Sequence, residues 1–136
     1  MKKAGLLLLV LVILGGWAIK DTEAGQWCWD LGNGEYVKVS FAKNDLNYPF
    51  WLLSGVMYEP NVYFAPVDGI MVKNPDGTRR LLTLNLTFAN ALLWYGYADI
   101  DARTKNGIVT FYGVNDDVYD SAHALTKADC SSLPAP

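Results

Sequence analysis

From Gln26 onward the apolar residues of this chain recur at alternate positions, in short runs separated by turn residues at fairly even spacing. No stretch of this region carries a helical apolar period. Alternation is what a strand demands, because its successive side chains point to opposite faces. Eight runs are visible. QWCWDL ends at Gly32-Asn33-Gly34. EYVKVSFA places Val37, Val39 and Phe41 on one face, and the polar loop KNDLNYP follows it. FWLLSGVMY ends at Glu59-Pro60-Asn61, and VYFAPVDGIMV comes next. In that fourth run Pro66 and Gly69 predict a bulge or corner. The turn KNPDGT leads to RRLLTLNLTF, with Leu82, Leu84, Leu86 and Phe88 on one face, and then to LLWYGYADID. Lys105-Asn106-Gly107 is an Asn-Gly hairpin signal before IVTFYGV. NDDVY, residues 115–119, reads as a loop before the last run, SAHALTKAD. The links are short and none contains a crossover helix. The expected fold is all-β, an eight-stranded antiparallel up-and-down barrel, because an even-numbered meander that closes removes its exposed edges.

The segment before the barrel has a different character. Lys2 and Lys3 precede AGLLLLVLVILGGWA, residues 4–18. A basic start followed by an apolar stretch is the pattern of a secretory signal, here residues 1–24, with cleavage expected after Ala18 or Ala24. The stretch is short of the roughly 20 apolar residues of a spanning helix; an uncleaved anchor is the alternative. Residues 25–136 then form one domain, secreted or periplasmic, with no membrane association after cleavage. Export bears on the only two cysteines, Cys28 and Cys130, which are expected to pair in an oxidising compartment. In a closed meander the last strand lies antiparallel beside the first, so this disulfide would staple the seam. With Trp27 and Trp29 turned inward, Cys28 turns outward, within reach of the tail. The competing reading is two free thiols or an intermolecular bridge, and no activating partner stands beside Cys28.

Charge and missing motifs narrow the function. The net charge of −3, with no basic stripe, argues against a nucleic-acid binder. No GxSxG, phosphate loop, HExxH or CxxC is present, and the chain is read as a non-enzyme without a cofactor. His123, the only histidine, has the titration range of a general base or a metal ligand. It lacks the further ligands a metal needs, and Asp120 and Asp129 show no catalytic spacing with it. It is therefore read as a hydrogen-bonded strand residue. Asp99 and Asp101 end one strand while Asp116 and Asp117 lie in a loop at the other end, so neither pair supplies the oxygens of a Ca²⁺ site, and no metal is expected. Asn85-Leu86-Thr87 is a glycosylation sequon placed mid-strand.

Residues 25–32, GQWCWDLG, open on Gly25-Gln26-Trp27. This opening resembles the GxW motif of calycin barrels, the lipocalin and avidin group. Asp30, Leu31 and Gly32 are similar to the avidin continuation of that motif. LSGVMY, with Gly55 and Tyr58, is similar to a second avidin stretch, and WYGY at 94–97 to the later tryptophan strand of avidins. The resemblance implies an eight-stranded barrel. It does not carry biotin chemistry: avidins place a polar residue just after the opening tryptophan for the ureido group, and Trp29 stands there. Nor is the lipocalin pattern met, because NDDVY follows the seventh strand and no C-terminal helix follows the eighth.

The leading expectation is a binding barrel for a small apolar or aromatic ligand. Trp29, Trp51, Trp94 and Tyr97 are expected to line its mouth, with Tyr36 and His123 as polar contacts. Against it stands a barrel filled by Trp27, Trp29, Trp51 and Trp94, serving as a scaffold for a protein partner at loops 42–49 and 114–120. Strands three and six are apolar on both faces. Trp51, Leu53 and Met57 oppose Leu52, Val56 and Tyr58, and Trp94 and Ile100 oppose Leu93, Tyr95 and Tyr97. One face must stay outside, so a homo-oligomer packed through strands three to six is expected.

Overall fold

The computed structural model describes residues 24–43, 50–89, 91–114, 118–120 and 122–136. Its strands are β1 (Ala24–Asp30), β2 (Tyr36–Lys43), β3 (Phe50–Glu59), β4 (Tyr63–Lys73), β5 (Arg79–Thr87), β6 (Leu93–Asp101), β7 (Gly107–Gly113), β8 (Val118–Tyr119) and β9 (His123–Ala128). All pairings are antiparallel. Strands β1 to β7 pair in sequence, β7 pairs with β9, and β9 returns to β1. Eight strands thus close a meander barrel. The short β8 is an addition that pairs Val118 and Tyr119 with Gly113 and Tyr112. The loop expected over 115–119 therefore contains a two-residue strand. Residues 1–23, on which the signal reading falls, lie outside the described residues. Among the described residues no helix is long and apolar enough to cross a membrane.

The alternation read in the sequence sets the core. Val37, Val39, Leu53, Met57, Leu82, Leu84 and Leu86 are all at most 5% exposed and pack inside the barrel, while their odd-numbered or even-numbered neighbours face out. The expected bulge at Pro66 and Gly69 is absent. The β3–β4 ladder runs unbroken from Phe50↔Val72 to Glu59↔Tyr63, with Pro66 opposite Val56. Pro66 lies one residue outside the β4–β5 ladder, which begins at Val67, so its missing N–H interrupts no pairing there. Gly69 answers a different demand. A Cβ at this position would stand 1.8 Å from the Thr83 carbonyl oxygen, and one at Gly55 would stand 1.9 Å from that of Lys38. Glycine lets neighbouring strands approach that closely where the barrel wall curves.

The seam is held as the spacing of the cysteines predicts. Cys28 faces outward from β1, opposite Ala128, and bonds Cys130 across a Cα–Cα distance of 5.2 Å. Cys130 opens a short 3-10 turn (Cys130–Ser132) whose first amides are capped by the Asp129 side chain, which accepts from the Ser131 N–H at 3.0 Å. The chain end then covers the outer face of β2 and β3. Tyr58 points outward yet is only 1% exposed, and its hydroxyl donates to the Pro134 carbonyl at 2.7 Å.

Candidate functional site

The two ends of the barrel differ. At the end bearing the β4–β5 and β6–β7 hairpins, bulky side chains fill the lumen. Trp27 packs on Phe41 with ring centres 4.6 Å apart and meets Trp29 edge-on at 5.9 Å. Trp29 is 1% exposed, and its indole N–H donates to the Lys105 carbonyl at 2.7 Å, tying β1 to the β6–β7 hairpin. Two cations close over these rings: the Arg80 guanidinium lies 5.2 Å from the centre of Trp51, and the Lys105 ammonium 5.1 Å from that of Trp27. The Lys105 ammonium also donates to the Ala102 carbonyl. Burial, and then the charge of Arg80, pull the Lys105 amine below its usual range. Arg80 Nη1 is buried without a hydrogen-bond partner, so the face of Trp51 is the compensation described for this guanidinium.

Among the described residues the opposite end is open. A cavity of about 200 Å³ lies there, lined by Glu35, Met57, Tyr63, Leu86, Phe88, Trp94, Phe111 and Asp120. Its apolar wall is the last layer of inward positions. Met57 shares the face of Leu53 near the end of β3, Leu86 that of Leu84 on β5, and Phe111 that of Val109 on β7. Trp94 is the first inward residue of β6. Gly96, opposite Phe111, makes room for that ring: a Cβ there would stand 2.8 Å from it.

The rim is polar and acidic. Glu35 sits just before β2, where its carbonyl accepts from the Leu31 N–H at 3.0 Å. Its carboxylate accepts from the Tyr63 hydroxyl at 2.7 Å and from the Asn33 amide at 2.5 Å. Burial raises the Tyr63 phenol far above its ordinary range, and the bond to Glu35 and the charges of Glu35 and Glu59 raise it further, so Tyr63 remains a donor. Across the mouth, the Asp120 N–H donates to the Phe111 carbonyl at 3.0 Å, and the Asp120 carboxylate stands 2.8 Å from His123 Nε2. The His123 ring lies 6.2 Å from that of Phe111.

This geometry separates the residues selected from the sequence. Trp94 lines the cavity. His123 reaches it through Asp120. Trp29 and Trp51 sit instead in the filled half: the indole of Trp29 reaches the β6–β7 hairpin at Lys105, and Trp51, near the start of β3, lies under Arg80. Tyr97 is 49% exposed: on β6 the inward positions are Trp94, Gly96, Ala98 and Ile100, so an odd-numbered residue faces solvent. Tyr36 likewise alternates with inward Val37 and packs on Tyr58 outside the barrel, with ring centres 5.6 Å apart. The residues that sequence reasoning did not select are Glu35, Met57, Tyr63, Leu86, Phe88, Phe111 and Asp120. A usable signal existed for Met57, Tyr63, Leu86 and Phe111, which are inward positions near one end of their strands, whereas Glu35, Phe88 and Asp120 lie outside the strands.

Asp99 and Asp101, the other carboxylates singled out on β6, have partners of their own. Asp99 accepts from Arg79 Nε at 2.7 Å, and Asp101 accepts from the N–H groups of Arg103 and Thr104 at 2.9 and 2.7 Å. Asp116 and Asp117 lie outside the described residues, as do residues 44–49 of loop 42–49 and 115–117 of loop 114–120. Among the described residues no three of His, Cys, Asp and Glu come together as a metal-binding group. Asn85 of the sequon faces outward on β5 and donates to Asp68 at 2.9 Å.

The outer wall of β3 to β6 mixes exposed apolar side chains with Ser54, Asp68, Thr83, Asn85 and Thr87. Leu52, Phe64, Ile70, Leu93, Tyr95 and Tyr97 are each between 41% and 54% exposed. Leu52 stands opposite Ile70, Ile70 opposite Thr83, and Thr83 opposite Tyr97, which makes one row across four strands. Comparison with protein-family models, with curated proteins and with solved structures finds no match to this chain.

Proposed function

We propose that this chain is an exported, non-enzymatic binding barrel that takes a small apolar or aromatic ligand into the cavity at its open end. The observation that carries the reading is the contrast between the ends: aromatic side chains fill one, and the other keeps a cavity of about 200 Å³ with an apolar wall and a few polar groups at the rim. That combination is how small-molecule sites are built. An apolar cavity of about 150 Å³ accommodates benzene, so the size suits a single ring with a short substituent. The Cys28–Cys130 bridge supports export, because such bonds persist in oxidising compartments.

The test uses a neutral probe, 2-phenylethanol, and the methyl resonances of the protein. At millimolar probe the signals of Met57 and Leu86 are expected to shift while that of Met71, buried away from the cavity wall, stays in place. Methyl signals that respond neither to 2-phenylethanol nor to a charged analogue of it, or that all respond together, would rule out this site.

A second reading is favoured by the outer wall. The exposed apolar residues Leu52, Phe64, Ile70, Leu93, Tyr95 and Tyr97 on one wall suit a second copy of the chain, since large exposed apolar surface usually marks a contact. Sedimentation at high micromolar protein is expected to give a dimer or larger species that Ile70→Glu dissociates. A monomer at that concentration would remove this reading and leave the cavity untouched.

A further inference from the structure

We propose that the ligand of the open end is an organic cation: one aromatic ring held by Met57, Leu86, Phe88, Trp94 and Phe111, with an ammonium group at the rim between Glu35 and Asp120. This rests on the binding reading above and adds the charge of the ligand to it.

The inference follows from how charge is distributed along the barrel. The polar groups that line the cavity are two carboxylates and one phenol. Among the described residues Glu35 is held by neutral donors, the Tyr63 hydroxyl and the Asn33 amide, and none of them compensates its charge. Glu59 adds a third carboxylate close enough to act on Tyr63. Asp120 has His123 as its partner, and that imidazole sits behind the carboxylate rather than in the cavity wall. Among the described residues no lysine or arginine lines the cavity. The cations of the two hairpins, Lys73, Arg79, Arg80, Arg103 and Lys105, belong to the opposite end. Arg80 and Lys105 are engaged there with Trp51 and Trp27.

An anionic ligand entering the open end would bring its charge against Glu35 and Asp120 in a partly desolvated place, where like charges repel strongly. A neutral ligand would gain the apolar wall only. An ammonium gains the wall, a charge-assisted hydrogen bond to a carboxylate whose other contacts are already fixed, and the negative faces of Phe88 and Trp94. Glu35 is prepared for this part. Asn33 grips it from the side and Tyr63 from the wall, so little rotamer freedom remains to be lost on binding.

The experiment compares three probes of one shape by calorimetry on the disulfide-bonded protein: phenethylamine, 2-phenylethanol and 3-phenylpropanoate. Phenethylamine is expected to bind about tenfold or more tightly than 2-phenylethanol, the scale of one charge-assisted hydrogen bond, and 3-phenylpropanoate is expected not to bind. In Glu35→Gln, and separately in Asp120→Asn, the preference for amine over alcohol is expected to fall. Equal binding of amine and alcohol overturns the inference about charge and leaves the cavity reading standing. Tighter binding of 3-phenylpropanoate overturns it as well. Failure of all three probes overturns both. The comparison on the unaltered protein decides these cases even where a variant does not fold.

Discussion

Replacing Cys28 and Cys130 together by alanine is expected to lower the unfolding free energy by about 4 kcal/mol while leaving the barrel closed. The two residues are 102 apart in sequence, so the bridge closes nearly the whole domain into one loop. Cross-linking a loop of roughly 100 residues removes about 4 to 5 kcal/mol of chain entropy from the unfolded state. The folded seam has its own bonds. Strand β1 pairs with β9 through Cys28↔Ala128, Trp29↔Lys127 and Asp30↔Thr126, and β9 pairs with β7 from Gly107↔Leu125 to Val109↔His123. These are the shortest ladders of the closed barrel, so β9 is the element least able to hold itself. Urea unfolding is expected to show a lower midpoint and a steeper dependence on denaturant, because the uncrosslinked chain expands further. Hydrogen exchange in the same variant is expected to quicken most in β9 and least in the long β3–β4 ladder. A loss below about 1 kcal/mol would mean that the bridge decorates a seam already closed by β9, and the chain-entropy account would fall.

How far the sequence could be read follows from what alternation does and does not encode. Parity within a strand is local, and it gave the barrel: Val37, Val39, Leu82, Leu84 and Leu86 all lie on the face their spacing predicts. The cysteine seam was legible for the same reason, since a closed meander brings its two ends together. The bulge was misplaced because a proline reads as a break whether or not a neighbouring strand needs its N–H. At Pro66 the β5 ladder has already stopped. The binding cavity was harder. Aromatic content drew attention to Trp29, Trp51 and Tyr97, yet a lumen has two ends as well as two faces. Parity alone excludes Tyr36 and Tyr97 from any interior lining, and this could have been applied. Deciding that Trp29 and Trp51 fill one end while Trp94 borders the other requires the stagger of the strands, which depends on long-range register. Glu35, Tyr63 and Asp120 are less visible still. Each lies at the edge of a strand or turn, and only the closed barrel brings them to one rim.

That division of the lumen makes a second strong prediction, which contrasts two tryptophans. Trp29→Ala is expected to cost about 4 kcal/mol or more, in the range for deleting a large buried aromatic. The cavity it leaves lies against Trp27, and the Lys105 carbonyl loses its donor. Trp94→Ala, at the half-buried mouth, is expected to cost roughly half as much, because water can enter the space it vacates and no buried polar partner is orphaned. Trp29→Phe separates the causes: it keeps a ring in the packing, removes the indole N–H, and is expected to cost about 2 kcal/mol. Domains of this size are stable by only about 5 to 15 kcal/mol, so Trp29→Ala brings the protein close to unfolding, and Trp29→Phe keeps the comparison measurable if the alanine variant fails to fold. Urea midpoints at one temperature give the ranking. If Trp94→Ala proves as costly as Trp29→Ala, the mouth is packed as tightly as the plug, and the barrel is a filled scaffold whose contacts must come from its outer wall.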